Sequence, residues 1–276
     1  MKLLCSLALL LLCTPAFAAE KQGSAYDRVM SSGVLKCGYG VWAPNIIKDV
    51  NTGALSGIFY DYGEALGAAT SLKVEWHEVP WTDFVLELNN GRIDAMCAGI
   101  WPTGARAREL IFTAPVNYVS IGAYVRADDT RFDNALAKLN NAGVTIATMD
   151  VEMSSIIAAA DFPLAKTLAI PATGSQPQML LNVAENKADV TFSDMATAQG
   201  FMKTNPGKLR ALPGGETLRA FGNTIALGKG EFALKALLDT ATLELLQSGA
   251  IEKILLKYEE YPGSLLRVAK PYEAAK

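Results

Sequence analysis

Short apolar segments bounded by turn residues alternate with stretches of helical period along this chain, and that alternation limits the possible folds more than any other feature. Apolar runs of this length cannot cross a bilayer as helices, and they need cover on their faces, which crossover helices provide. The expected class is therefore α/β, with parallel sheets covered by helices. In the first third the pattern predicts strands over 34–38, 73–79 and 93–98, with helices over 60–69 and 81–89 and a turn at Asn51-Thr52-Gly53. A second block begins near Tyr118. It carries expected strands over 121–125, 144–147, 167–170 and 188–192, with helices near 152–160 and 176–184. A strand over 224–227 and helices over 232–247 and 251–258 close the pattern. Two blocks without a flexible linker point to two lobes joined by crossing strands.

The N-terminus reads as an address. Lys2 precedes an apolar run from Leu3 to Leu12, and Ala16-Phe17-Ala18 puts small residues at the two positions read by a signal peptidase. Residues 1–18 are expected to be a signal peptide cleaved after Ala18, leaving an exported, periplasmic protein. Cys13 is preceded by Leu12 where a lipobox has a small residue, so lipidation is not expected. Cys37 and Cys97 lie in apolar strand-like runs, which favours two buried thiols over a disulfide.

Composition excludes several functions. With a formal net charge of -3 the chain has no basic surplus for a phosphate backbone, so nucleic acid is not an expected partner. A single histidine, His77, and four cysteines leave too few ligands for a zinc site, and neither a metal nor a cofactor is expected. His77 sits beside Trp76 in a strand with no serine elbow around it, so it reads as structural and not as part of a hydrolase triad.

Five short segments occur in order: Gly57-Ile58-Phe59-Tyr60-Asp61, Trp81-Thr82-Asp83-Phe84, Gly91-Arg92-Ile93-Asp94-Ala95, Thr103-Gly104-Ala105-Arg106 and Phe112-Thr113-Ala114-Pro115. Further on come Asn186-Lys187-Ala188-Asp189-Val190, Asp194, Ser248-Gly249-Ala250 and Lys257-Tyr258. The ordered set resembles the extracytoplasmic solute-binding proteins of amino-acid ABC transporters (solute-binding protein family 3), over most of the mature chain. The resemblance implies a two-lobed periplasmic-binding-protein-like fold of type II with a hinge of two crossing strands. Lobe 1 would be residues 25–118 plus 225–276, and lobe 2 residues 119–224. It also implies a monomer that captures a small-molecule solute in the cleft and passes it to a membrane permease.

Carried over residue by residue, the resemblance makes Arg106 the bidentate partner of a solute carboxylate and Thr103 a second donor to it, although Thr103 would look the same as a helix cap. Asp194 would receive an α-ammonium, and Asp189 would stabilise its lobe. Trp42 and Trp81 would be aromatic walls, with Tyr39 nearby, while Trp76 is structural and Asp61 a helix cap. Three positions depart from the family pattern. Trp101 stands where a Ser or Thr helps to hold the ammonium, and Asp150, in Met149-Asp150-Val151, stands where an anion-binding turn is usual. Val116 replaces a tyrosine. These departures extend the expected solute from amino-acid-like compounds to aromatic or cationic amines. The same fold family also implies an alternative, an exported cyclohexadienyl-dehydratase-like enzyme using Asp150 or Glu152 as an acid, or a sensory module, for which this sequence has no signalling domain.

Overall fold

The computed structural model describes residues 23–268. The expected signal peptide, its expected cleavage position after Ala18, and Cys5 and Cys13 lie outside the described residues. In chain order the elements begin with helix α1 (Ala25–Ser32), strands β1 (Val34–Tyr39), β2 (Ile47–Lys48) and β3 (Leu55–Ser56), helix α2 (Ile58–Thr70) and strand β4 (Lys73–Glu78). Helix α3 (Phe84–Asn89), β5 (Ala95–Ile100), β6 (Leu110–Phe112) and β7 (Asn117–Arg126) follow. Next are β8 (Thr145–Met149), α4 (Met153–Asp161), β9 (Lys166–Ile170), α5 (Gln176–Ala184), β10 (Val190–Asp194) and α6 (Met195–Thr204). The described residues end with β11 (Leu209–Ala211), β12 (Arg219–Gly228), α7 (Phe232–Gln247), α8 (Ala250–Tyr258) and β13 (Leu266–Arg267).

The strands run β4-β1-β5-β12-β7-β10-β8-β9 as one curled sheet. Pairing is parallel within β4-β1-β5 and within β10-β8-β9, as the alternation implies, but antiparallel where β12 meets β5 and where β7 meets β12 and β10. The sheet is therefore mixed rather than parallel throughout, because the long strands β7 and β12 run back and forth between the two lobes. This pair is the hinge of the two-lobed fold, and β13 adds to it by pairing with Asn117 and Tyr118 of β7. Helices α2, α7 and α8 pack together on the first lobe, and α4, α5 and α6 cover the strands of the second. In each lobe the motif aspartate ties two strands together. Asp94 accepts the Lys36 N–H at 3.0 Å, and Asp189 accepts the Thr145 N–H at 2.8 Å.

Three expectations need correction. Asp61 does not cap α2, which begins after Gly57 without a side-chain cap. Instead its carboxylate accepts from Lys257 Nζ at 2.7 Å and from the Tyr258 hydroxyl at 2.9 Å, fastening α8 to α2. That hydroxyl also accepts the Gly57 N–H at 3.0 Å, and Gly57 sits at φ +117 with room for no Cβ, which would fall 2.5 Å from the Asn45 carbonyl oxygen. The helix expected over 81–89 starts only at Phe84, because residues 81–83 form a turn. Finally, Cys37 and Cys97 form a disulfide across the parallel neighbours β1 and β5, with Cα atoms 5.5 Å apart. Two apolar-looking cysteines in adjacent strands meet because of the strand order, which their sixty-residue separation conceals.

Candidate functional site

A cavity of about 1050 Å³ opens between the two lobes. The first lobe supplies Val41, Trp42, Trp81, Phe84, Trp101 and Arg106, and the end of α8 and the segment after it add Tyr258 and Tyr261. Opposite lie the turn Met149–Glu152, the start of α5 at Gln176 and Pro177, and Ala196, Thr197, Gly200 and Phe201 of α6. Each side has a physical origin. In the first lobe the aromatic rings come from loops at the ends of β1, β4 and β5, and Trp81 lies over Gly40, whose missing Cβ would otherwise fall 2.5 Å from the indole. In the second lobe the wall is made of helix starts, where backbone N–H groups have no partner within the helix.

Five of the eight residues expected at the site, Trp42, Trp81, Trp101, Arg106 and Asp150, line this cavity. Trp101 is 5% exposed, stacks on Phe221 at 5.1 Å and meets Trp42 edge-on at 5.2 Å. Its indole N–H donates to Asn223 Oδ1 at 2.6 Å. Arg106 is half-buried, with one guanidinium N–H donated to the Trp101 carbonyl at 2.9 Å. Burial draws its pKa down, while the negative charge of Glu152 opposes that shift. The guanidinium remains charged and keeps further donors.

The other three lie off the cavity wall. Tyr39 is buried against Trp76, and its hydroxyl donates to Glu78 at 3.4 Å. Thr103 accepts the Arg106 backbone N–H at 3.2 Å, which is the capping arrangement. Asp194, 3% exposed, caps α6 by accepting the Thr197 N–H at 2.9 Å, while its Oδ2 is buried without a partner.

Glu152 was not expected in the binding wall, yet it lines the cavity from the second lobe beside Asp150. It caps α4, accepting from Ser154 N at 2.7 Å and Ser154 Oγ at 2.6 Å, and Gln176 Nε2 donates to its other oxygen at 3.2 Å. Burial pushes its pKa up against the pull of the Ser154 bonds, and the neighbouring Asp194 charge adds to the rise. The turn that presents it is strained, since Val151 is 74% exposed and sits at φ +55, a left-handed conformation unfavourable for a β-branched residue. Helix α6 was also missed, because Gly200 and two threonines dilute its helical period. Asp194 followed three residues later by Thr197 was the available cap signal.

Asp194 yields a prediction about stability. Burial raises its folded pKa. The folded carboxyl therefore holds its proton more tightly than the unfolded one, so no penalty applies below the unfolded value of about 3.9. Stability is lost as pH rises through the folded value. Asp194→Asn keeps the capping oxygen and removes the charge. Its melting temperature is expected to exceed the parent's by a few degrees at pH 8, with the gain disappearing near pH 4. A lower melting temperature for the variant at pH 8 would refute this reading.

The family described as bacterial extracellular solute-binding proteins, family 3, matches residues 35–260. A probable histidine-binding protein of Neisseria gonorrhoeae is 28% identical over 217 residues, 75% of each chain. An L-arginine-binding protein of Pseudomonas aeruginosa is 26% identical over 264 residues, covering 93% of this chain and 95% of that one. Among solved structures, an ancestral amino-acid-binding protein described as a precursor of cyclohexadienyl dehydratase superposes with a TM-score of 0.73 at 22% identity, over 86% of this chain and 99% of the other. A histidine kinase sensor domain with similarity to periplasmic binding proteins gives a TM-score of 0.72 at 21% identity, covering 85% and 97%. At these identities the structural likeness speaks for the fold.

Proposed function

The chain belongs to the bacterial extracellular solute-binding proteins of family 3, and on that premise we propose that it is a non-enzymatic periplasmic receptor that captures a small amino-acid-like or amine/aromatic solute and delivers it to the membrane permease of an ABC transporter. The observation that carries this reading is the cavity of about 1050 Å³ walled by both lobes, with Arg106 on one side and Glu152 on the other. Closure is driven only by the extra affinity of a solute for the closed form, so polar groups are needed on both walls. Aromatic walls suit an apolar or cationic side chain. We take lobe 1 as residues 25–118 plus 225–276 and lobe 2 as 119–224, with the mature protein a monomer released by cleavage after Ala18. Among the residues proposed from sequence, Arg106, Trp42, Trp81, Trp101 and Asp150 contact the solute. Asp194, Thr103 and Tyr39 support the site from behind it.

The test is thermal unfolding of the mature protein, residues 19–276, against amino acids, aromatic acids, amines and short peptides, with X-ray scattering of the best binder. A native-state ligand at 100 times its Kd stabilises by about 2.7 kcal/mol, so a clear melting shift in one chemical class together with a smaller radius of gyration is expected. No shift and no compaction with any of them would overturn the receptor reading. The raised pKa of the cavity-facing Glu152 favours one second reading, in which it acts as a general acid. Turnover of prephenate or arogenate would establish that alternative, and absence of product would remove it.

A further inference from the structure

We propose, building on the receptor reading above, that the solute is a cationic amine whose charged nitrogen is received by Glu152, and that a carboxylate on the solute is dispensable. An anion docking on the second lobe would need free N–H groups at a helix start. At α4 and at α6 one of these is already taken by the protein's own carboxylate. Glu152 takes the Ser154 N–H of α4, and Asp194 takes the Thr197 N–H of α6. Helix α5 opens at Gln176 followed by Pro177, which has no N–H to offer.

The charge on this wall is unbalanced. Glu152 lies in the wall, Asp194 sits behind it and Asp150 stands exposed at its rim. None of the three forms a salt bridge among the described residues. Arg106, on the opposite wall, is among the described residues the one cation lining the cavity without a salt bridge, since Lys257 is paired with Asp61. Two carboxylates thus line this wall, with the buried Asp194 behind them, against one guanidinium on the other. Desolvated carboxylates without a counter-ion are costly, and a solute cation arriving between the lobes supplies what the wall lacks.

The unpartnered polar atoms follow the same polarity. Gln176 Oε1 is a buried acceptor without a donor, adjacent to Glu152 through the bond from its own Nε2. It gives an ammonium or guanidinium a second acceptor on the same wall. The unpartnered donor of the lining, Trp42 Nε1, lies on the opposite wall with Arg106. Any acceptor on the solute would turn that way, while the indole faces of Trp42 and Trp81 suit the cation's flank.

The experiment is calorimetric titration of the mature protein with matched pairs that differ in the carboxylate alone: arginine and agmatine, histidine and histamine, tryptophan and tryptamine. In at least one pair the amine is expected to bind as tightly as its amino acid or tighter. Glu152→Gln should weaken that amine at least tenfold without lowering the melting temperature of the unliganded protein. If every pair that binds prefers the amino acid by more than tenfold, this inference falls while the receptor reading stands. If Glu152→Gln leaves amine affinity unchanged, Glu152 is not the acceptor and the inference falls. If neither these pairs nor any other solute binds, both fall. The wild-type comparison needs no variant, so a misfolded substitution cannot mask the answer.

Discussion

Truncation of Trp101 to alanine is expected to destabilise the protein by about 3–5 kcal/mol and to weaken solute binding in the same variant. The stability loss follows from burial, since the indole is 5% exposed and packs on both Phe221 and Trp42. Phe221 belongs to β12, so the ring joins the end of β5 to one of the hinge strands. The polar edge of the indole extends that connection. Its N–H donates to Asn223 Oδ1, and Asn223 Nδ2 donates at 3.2 Å to Asn117 Oδ1 on β7, directly across the pair Asn223–Asn117. A residue in the cavity wall is thus the first of three buried groups spanning the two crossing strands. Trp101→Phe separates the contributions, because it keeps most of the ring and leaves Asn223 Oδ1 without its donor, at a cost of about 1–3 kcal/mol. Urea unfolding of the two variants beside the parent measures both. If Trp101→Ala shifts stability by less than about 1 kcal/mol, the indole is not a structural link between cavity and hinge.

Much of this arrangement was legible in the sequence where local signals agree with tertiary ones. The helices Gln176–Ala184 and Phe232–Gln247 fall where the period places them, and the repeated Asp94 and Asp189 segments do mark equivalent strand ties in the two lobes. Trp42 and Trp81 reach the cavity because each sits just beyond a strand end, where open α/β sheets present side chains, and Arg106 reaches it from the short helical turn that follows β5. The rest depended on distances that no local pattern contains. Asp194 reads as a binding aspartate until its three-residue spacing to Thr197 is seen to start a helix, and Glu152 reads as a helix-start acid of the alternative enzyme until Ser154 and Gln176 are brought around it in the cavity wall. The antiparallel hinge pairing could not be read from the strands, since Tyr118 of β7 and Phe221 of β12 become neighbours only through pairing between segments about a hundred residues apart in sequence.

The disulfide is the clearest instance of such long-range information, and it carries the second large effect. Replacing Cys37 and Cys97 together by alanine is expected to cost about 2–4 kcal/mol. The bond closes a loop with a sequence separation of 60, and in the chain-entropy account a closure of that length restrains the unfolded chain by about 4 kcal/mol. That loop holds β2, β3 and β4, helices α2 and α3, and Trp42 and Trp81 of the cavity wall. Both cysteines are fully buried in neighbouring strands, so alanine leaves two small gaps whose cavity cost adds to the lost restraint. Because the sulfurs are shielded, the native protein is expected to resist dithiothreitol until it unfolds, whereas the unfolded chain should be reduced at once. Thiol titration in guanidinium without reductant should find no free thiol in the mature protein. Two free thiols there, or a double variant as stable as the parent in urea, would mean that β1 and β5 are joined by packing alone.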